Sequence, residues 1–120
     1  MPKPQLFLLK ARFADPSVGK QGQWYHCPHC ARIEGLLSYF PELRKALDVH
    51  YVDFEKPRAV LVAMLGEAHQ SCPVLITEEA AALPYMALGF RQHQTHYFLD
   101  RPETIAAYLA EVYQISQEHP

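Results

Sequence analysis

The chain carries no large excess of either charge. Eleven Lys and Arg face thirteen Asp and Glu, for a net charge of −2 and an isoelectric point near 6.4. A nucleic-acid binder needs a basic patch or stripe, so nucleic acid is not expected as a partner. Long apolar runs are also missing: none reaches the ~18 residues that a membrane span requires. The stretch Met1-Pro2-Lys3-Pro4-Gln5-Leu6-Phe7-Leu8-Leu9-Lys10 has too short an apolar core for a secretory signal, and no small-residue cleavage site follows it. A cytoplasmic setting is therefore expected. Cysteine is scarce, with three in 120 residues. That is too few for a disulfide framework and points instead to catalysis, metal binding or burial. Repeats, low-complexity tracts and linkers are absent, so residues 1–120 read as one domain. An apolar content of 49% gives that domain enough material for a core.

Two of the three cysteines stand together in Cys27-Pro28-His29-Cys30, where an apolar-periodic run begins. Pro28 suits the first turn of a helix. Ile33, Leu36, Leu37 and Phe40 follow helical spacing, and Pro41 predicts a break at Phe40. Cys27 thus falls at a helix N-terminus, with Cys30 one turn further in. Unpaired N–H groups and the helix dipole favour a thiolate there, and His29 adds a cation nearby.

The rest of the chain falls into alternating elements. Leu6–Lys10 is an apolar run that fits a buried strand. Residues 11–25 read as loop, marked by Asp15-Pro16, Gly19 and Gly22. Glu42–Leu47 adds a short helical piece, and Val49–Phe54 alternates as a strand. Pro57 is expected to open a helix that buries Val60, Leu61, Met64 and Leu65 and stops at Gly66. Val74–Thr77 is a second buried strand, directly after Cys72-Pro73. Residues 78–94 show no clean period and read as an insertion or extended hairpin. Thr95–Leu99 is a last strand. Asp100 with Glu103 then predicts a capping box for a final helix whose core face is Ile105, Tyr108, Leu109 and Val112. Tyr39, Tyr51 and Tyr108 sit at core-like spacing and are expected to pack inside. The order β-α-β-α-β-β-α predicts an α/β fold: a mixed four-stranded sheet flanked by helices, with a parallel first crossover and an antiparallel last pair.

This order, with Cys27-Pro28-His29-Cys30 opening the first helix and Cys72-Pro73 before the third strand, resembles the thioredoxin/glutaredoxin superfamily across nearly the whole chain. Gln70–Leu75 and Ile105–Glu111 are also similar to the end of the glutathione-transferase N-terminal domain. The chain looks most like a family of short bacterial thioredoxin-like proteins of unassigned function. The resemblance implies a dithiol–disulfide oxidoreductase. In that role Cys27 is the exposed nucleophile, with its pKa lowered from about 8.5 toward about 3.5–7.5. Cys30 resolves the mixed disulfide, and His29 tunes the pair. Trp24, Tyr25, Cys72 and a cis Pro73 are expected to line the substrate groove. The disulfide comes from a protein or from glutathione, acting on a monomer or homodimer, and no cofactor is required. Lys10 and Arg12 stand where they can steer an anionic partner. The sequence departs from the superfamily at His29, where glutaredoxins commonly carry Tyr, and at Cys72, where they carry a small or β-branched residue.

Cys72 opens an alternative. In such a fold it lies close to Cys27, so Cys27, Cys30 and Cys72, with His26 or His29, offer a zinc site or a ligand set for an iron–sulfur cluster. A Cys27–Cys72 disulfide is another alternative, and a further one is a non-catalytic interaction domain that keeps the groove beside Pro73. For Cys72 the plain reading is a small buried apolar side chain. For Glu34, which can otherwise relay protons to Cys30, the plain reading is a solvated helix face.

Overall fold

A computed structural model describes residues 2–120. Five strands and five helices follow in the order β1 (Gln5–Leu9), α1 (Pro28–Tyr39), α2 (Leu43–Ala46), β2 (Asp48–Val52), α3 (Ala59–Leu65), β3 (Val74–Thr77), α4 (Glu79–Ala82), β4 (Arg91–His93), β5 (His96–Leu99) and α5 (Pro102–Tyr113). A 3₁₀ segment, Leu83–Leu88, joins α4 to β4. The sheet order is β2-β1-β3-β5-β4. β1 and β2 run parallel, linked by the α1–α2 crossover, and every other pairing is antiparallel.

The fold is therefore α/β with a mixed sheet, but the sheet has five strands rather than the four expected. The extra strand, β4, lies at the edge and has the sequence Arg91-Gln92-His93, with no apolar alternation to signal it. Tertiary contacts create it. Residues 94 and 95 turn the chain back, with Gln94 at φ 53°, and Arg91 pairs opposite Phe98. The Arg91 guanidinium lies over the Phe98 ring at 4.9 Å, and it also pairs with Asp100.

Alternation on the strands sends side chains to two faces. Leu6, Leu8, Leu75, Tyr97 and Leu99 meet Ile33 and Leu37 of α1 and Ile105, Tyr108 and Leu109 of α5. Phe7, Val74, Ile76 and Phe98 meet Leu61 and Leu65 of α3 on the other face. Helices thus cover both sides. β3 is buried at all four positions, as its continuous apolar run predicts.

Several local expectations are corrected. The helix after β2 begins at Ala59, not at Pro57, and Lys56–Pro57 is a cis peptide. β2 starts at Asp48 and ends at Val52, short of Phe54. Asp100 does not cap α5. Arg101 is the N-cap residue and makes no side-chain cap bond, since a guanidinium has no acceptor for a helix N–H, and Asp100, one residue outside, pairs with Arg91. Of the three tyrosines expected inside, only Tyr108 is buried; Tyr39 and Tyr51 are 81% and 42% exposed. Pro41 ends α1 at Phe40, and Tyr39 is left on the outer face of that final turn.

Residues 78–94 form α4, the 3₁₀ segment and β4. A short helical insertion (α4 and the 3₁₀ segment) packs on α5, and a strand then forms a hairpin with β5. Tyr85 and Phe90 meet Tyr108 edge-on, with ring centroids 5.4 and 5.5 Å away. Among the described residues, no helix is long and apolar enough to cross a membrane.

Candidate functional site

The end of β1 and the start of α1 bring the first two sulfurs together. Cys27 is the N-cap of α1, with extended backbone at φ −80° and ψ 117°. Its Sγ accepts the Cys30 N–H at 3.2 Å. The sulfur thus does what a Ser or Asp oxygen does at an ordinary helix start and takes up one of the unpaired N–H groups. Cys27 is half-buried, whereas Cys30 is 5% exposed. The Cys30 Sγ accepts the Leu9 N–H at 3.4 Å, which ties the first turn of α1 to the last residue of β1. Burial pushes the Cys30 thiol strongly up, and nearby Cys27 and Cys72 add to the effect; the Leu9 N–H opposes it. The two sulfurs therefore differ: one is accessible and bonded by its own helix, and the other is held behind it as a neutral thiol.

Cys72 comes in from the loop before β3, and its peptide bond to Pro73 is cis. It is half-buried and packs against the same core cluster as Cys27. Burial raises its thiol to about 11, the neighbouring Cys27 adds to that, and the Arg58 guanidinium pulls the other way. All three cysteines are free. Among the described residues, no group of three or more His, Cys, Asp or Glu side chains stands close enough to hold a metal ion.

The remaining candidates take different places. His29 and His26 are exposed on either side of Cys27. Trp24 is 53% exposed and carries the Arg12 guanidinium over its ring at 4.3 Å. Arg12 is thereby engaged with Trp24, and Lys10 pairs with Asp53 at 2.7 Å. Tyr25 serves its own loop. Its backbone exchanges two hydrogen bonds with Phe13, and its hydroxyl donates to the Val18 carbonyl at 3.4 Å. That hydroxyl fills the space above Gly19, where a Cβ would come within 1.6 Å of it and where φ is +70°.

Two openings meet near the thiols. A cavity of about 180 Å³ is lined by Cys27, Cys30, His26, Glu34 and Tyr51. A larger groove of about 840 Å³ runs from Lys10 and Trp24 past Tyr51 to Val60. Lys10 and Tyr51 line both.

Three residues at the site gave no clear signal in the sequence. Glu34 is not merely solvated. It pairs with Arg44 and accepts the Tyr51 hydroxyl at 2.5 Å, so α1, α2 and β2 are joined at the mouth of the small cavity. Burial and the hydrogen bond to Glu34 raise the Tyr51 phenol. Arg58 is 8% exposed, and it binds the loop after β2 to the loop before β3. Its Nε donates to the Phe54 carbonyl at 3.1 Å and its Nη1 to the Gln70 carbonyl at 2.7 Å, while Gln70 Oε1 accepts the Arg58 N–H at 2.7 Å. No carboxylate pairs with it among the described residues. A lone Arg between Pro57 and Ala59 has no pattern that distinguishes it from a surface residue.

A family model described as a protein of unknown function (DUF3088) matches residues 3–117, and the chain belongs to that family. No curated protein and no solved structure matches it.

Proposed function

We propose that the protein is a dithiol–disulfide oxidoreductase of thioredoxin-like architecture, with Cys27 as nucleophile and Cys30 as resolving thiol. The observation that carries this reading is the asymmetry of the pair. Cys27 Sγ is reachable and accepts an N–H at the start of a twelve-residue helix. Cys30 Sγ sits behind it, buried on the Leu9 N–H. A thiolate at Cys27 attacks a substrate disulfide, one substrate thiolate leaves, and Cys30 loses its proton and attacks Cys27 Sγ to release the second. The buried, neutral state of Cys30 delays its attack until Cys27 has been converted to a mixed disulfide.

The strand order supports the architectural part. Without β4, the sheet is β2-β1-β3-β5, with one parallel and two antiparallel pairings, as the superfamily resemblance implies. The Cys-x-x-Cys pair follows β1, and Cys72-Pro73 precedes β3 on the same side of the core. The groove beside Trp24 and Tyr51 has room for an extended polypeptide as well as for a glutathione-sized disulfide, and a cytoplasmic setting keeps the resting pair as dithiol.

The test is catalysed reduction of a protein disulfide with dithiothreitol as the terminal reductant. Wild-type protein accelerates the reduction, and Cys27→Ser returns it to the uncatalysed rate. If Cys27→Ser were as active as wild type, or wild type no faster than dithiothreitol alone, the reading would be wrong.

A further inference from the structure

Cys72 is the thiol that a two-cysteine mechanism leaves unused. Like Cys27, it packs against the core cluster that holds Cys30, yet it differs from Cys30 in three respects. Cys30 is almost wholly buried, whereas Cys72 is half-buried and opens into a second cleft, of about 520 Å³, lined also by Lys56, Arg58 and Ser71. The Cys30 sulfur is engaged by the Leu9 N–H, whereas no hydrogen bond occupies the Cys72 sulfur among the described residues. Cys72 also stands near a buried guanidinium that has no carboxylate partner, so an anion on this sulfur meets an uncompensated positive charge. Arg58 spends three of its N–H donations on the Phe54 and Gln70 carbonyls, and two remain. The Cys72 thiol ionises less readily than an ordinary one but is held back less than Cys30.

We propose that Cys72 is a second resolving thiol for Cys27, so that oxidation closes either a Cys27–Cys30 or a Cys27–Cys72 disulfide. This rests on the reading of Cys27 as the nucleophile. The step is disulfide exchange. Cys27 thiolate attacks a disulfide RSSR, forms the Cys27–SR bond and releases one RS⁻. Cys72 gives its proton to solvent, and its thiolate attacks Cys27 Sγ. The Cys27–Cys72 bond forms, the Cys27–SR bond breaks, and the second RS⁻ leaves with the electron pair. Two protein thiols are oxidised and one substrate disulfide is reduced to two thiols. Proximity offsets the small thiolate fraction at Cys72, because groups held together react as if at very high local concentration. The Cys27–Cys72 bridge joins the N-terminus of α1 to the loop before β3.

The experiment uses reduced Cys30→Ser protein and one equivalent of a dithiobis(nitrobenzoate) disulfide, whose thiolate is coloured. The expected result is release of two coloured thiolates per protein and, on non-reducing digestion, a cross-linked peptide pair containing Cys27 and Cys72. Cys30→Ser/Cys72→Ser should release one and keep its adduct on Cys27. Cys30→Ala serves in place of Cys30→Ser if the buried hydroxyl disturbs folding, as judged by circular dichroism. A stable Cys27 adduct with Cys72 still free, or an adduct resting on Cys72 itself, overturns the proposal and leaves the oxidoreductase reading intact. Absence of any reaction at Cys27 overturns that reading and this step with it.

Discussion

Raising the pH should loosen this protein through its two shielded thiols, and the size of the effect can be worked out. In the unfolded chain a cysteine ionises at about 8.5. In the folded chain burial raises Cys72 to about 11 and pushes Cys30 up as well. A raised thiol keeps its proton in the native state while the unfolded state loses it. The native state then binds more protons, so stability falls as pH rises. The contribution is fully present below the unfolded pKa and is lost progressively between the unfolded and folded values. For Cys72, moving from about pH 8 to about pH 10 costs about 2 kcal/mol, at about 1.4 kcal/mol for each unit above the unfolded pKa. Cys30 loses a similar amount, because at that pH the unfolded-state ionisation sets the size and the folded thiol has barely begun to titrate. The pair together loses about 4 kcal/mol, a large share of the ~5–15 kcal/mol expected of a small domain. Urea unfolding under a non-thiol reductant at several pH values measures it. Cys72→Ala should remove about 2 kcal/mol of the pH-dependent loss, whatever it does to stability at neutral pH. The Tyr108 phenol, raised by burial to about 12, acts in the same direction only at higher pH. A Cys72→Ala protein that loses as much stability as wild type between the two pH values would refute the argument.

Other outcomes follow from single features. Arg58→Met strands the Phe54 and Gln70 carbonyls and should cost about 2–4 kcal/mol, with Arg58→Lys recovering only part because an ammonium cannot reproduce the fork; denaturant midpoints decide it. Gly19→Ala combines φ +70° with a Cβ driven into the Tyr25 hydroxyl and should cost about 1–3 kcal/mol. In a Tyr25→Phe background the 1.6 Å approach to the hydroxyl is gone and a ring-carbon contact at 2.9 Å remains beside the backbone strain, so an undiminished cost there would refute the steric account. Leu61→Ala should cost about 2–5 kcal/mol, because Leu61 is fully buried where α3 covers its face of the sheet. Neighbouring Val60→Ala, at 42% exposure, should stay within about 0.5 kcal/mol, and equal effects at the two positions would show that α3 does not pack as described.

Where local chemistry is strong, the elements were legible. Pro28 and the spacing Ile33, Leu36, Leu37 gave α1 its start and its buried face, and Pro41 gave its end, because these are preferences of the chain within one or two turns. The apolar run at Val74–Thr77 predicted a strand buried on both faces for the same reason. β4 was not legible, since a polar tripeptide becomes a strand only when Tyr97 and Phe98 are beside it. Asp100 misled, because it stands three residues before Glu103 as a capping box requires, whereas α5 starts at Pro102, so Arg101 takes the cap position and Asp100, one residue outside, pairs with Arg91. Glu34 and Tyr51 are separated by seventeen residues and are joined by the parallel crossover, which no short-range pattern encodes.

The sequence by itself determined that two thiols would sit a turn apart at a helix start, with a third just before a proline that leads into a strand. Spacing and the fixed φ of proline are local properties, and they need no partner. Only the tertiary structure decided what each sulfur faces. The Leu9 N–H reaches Cys30 because β1 ends under α1, and Arg58 and Cys72 line one cleft because two loops close around one guanidinium. Burial, charge and hydrogen bonding come from residues distant in the chain, so the different surroundings of three chemically identical thiols are a property of the fold.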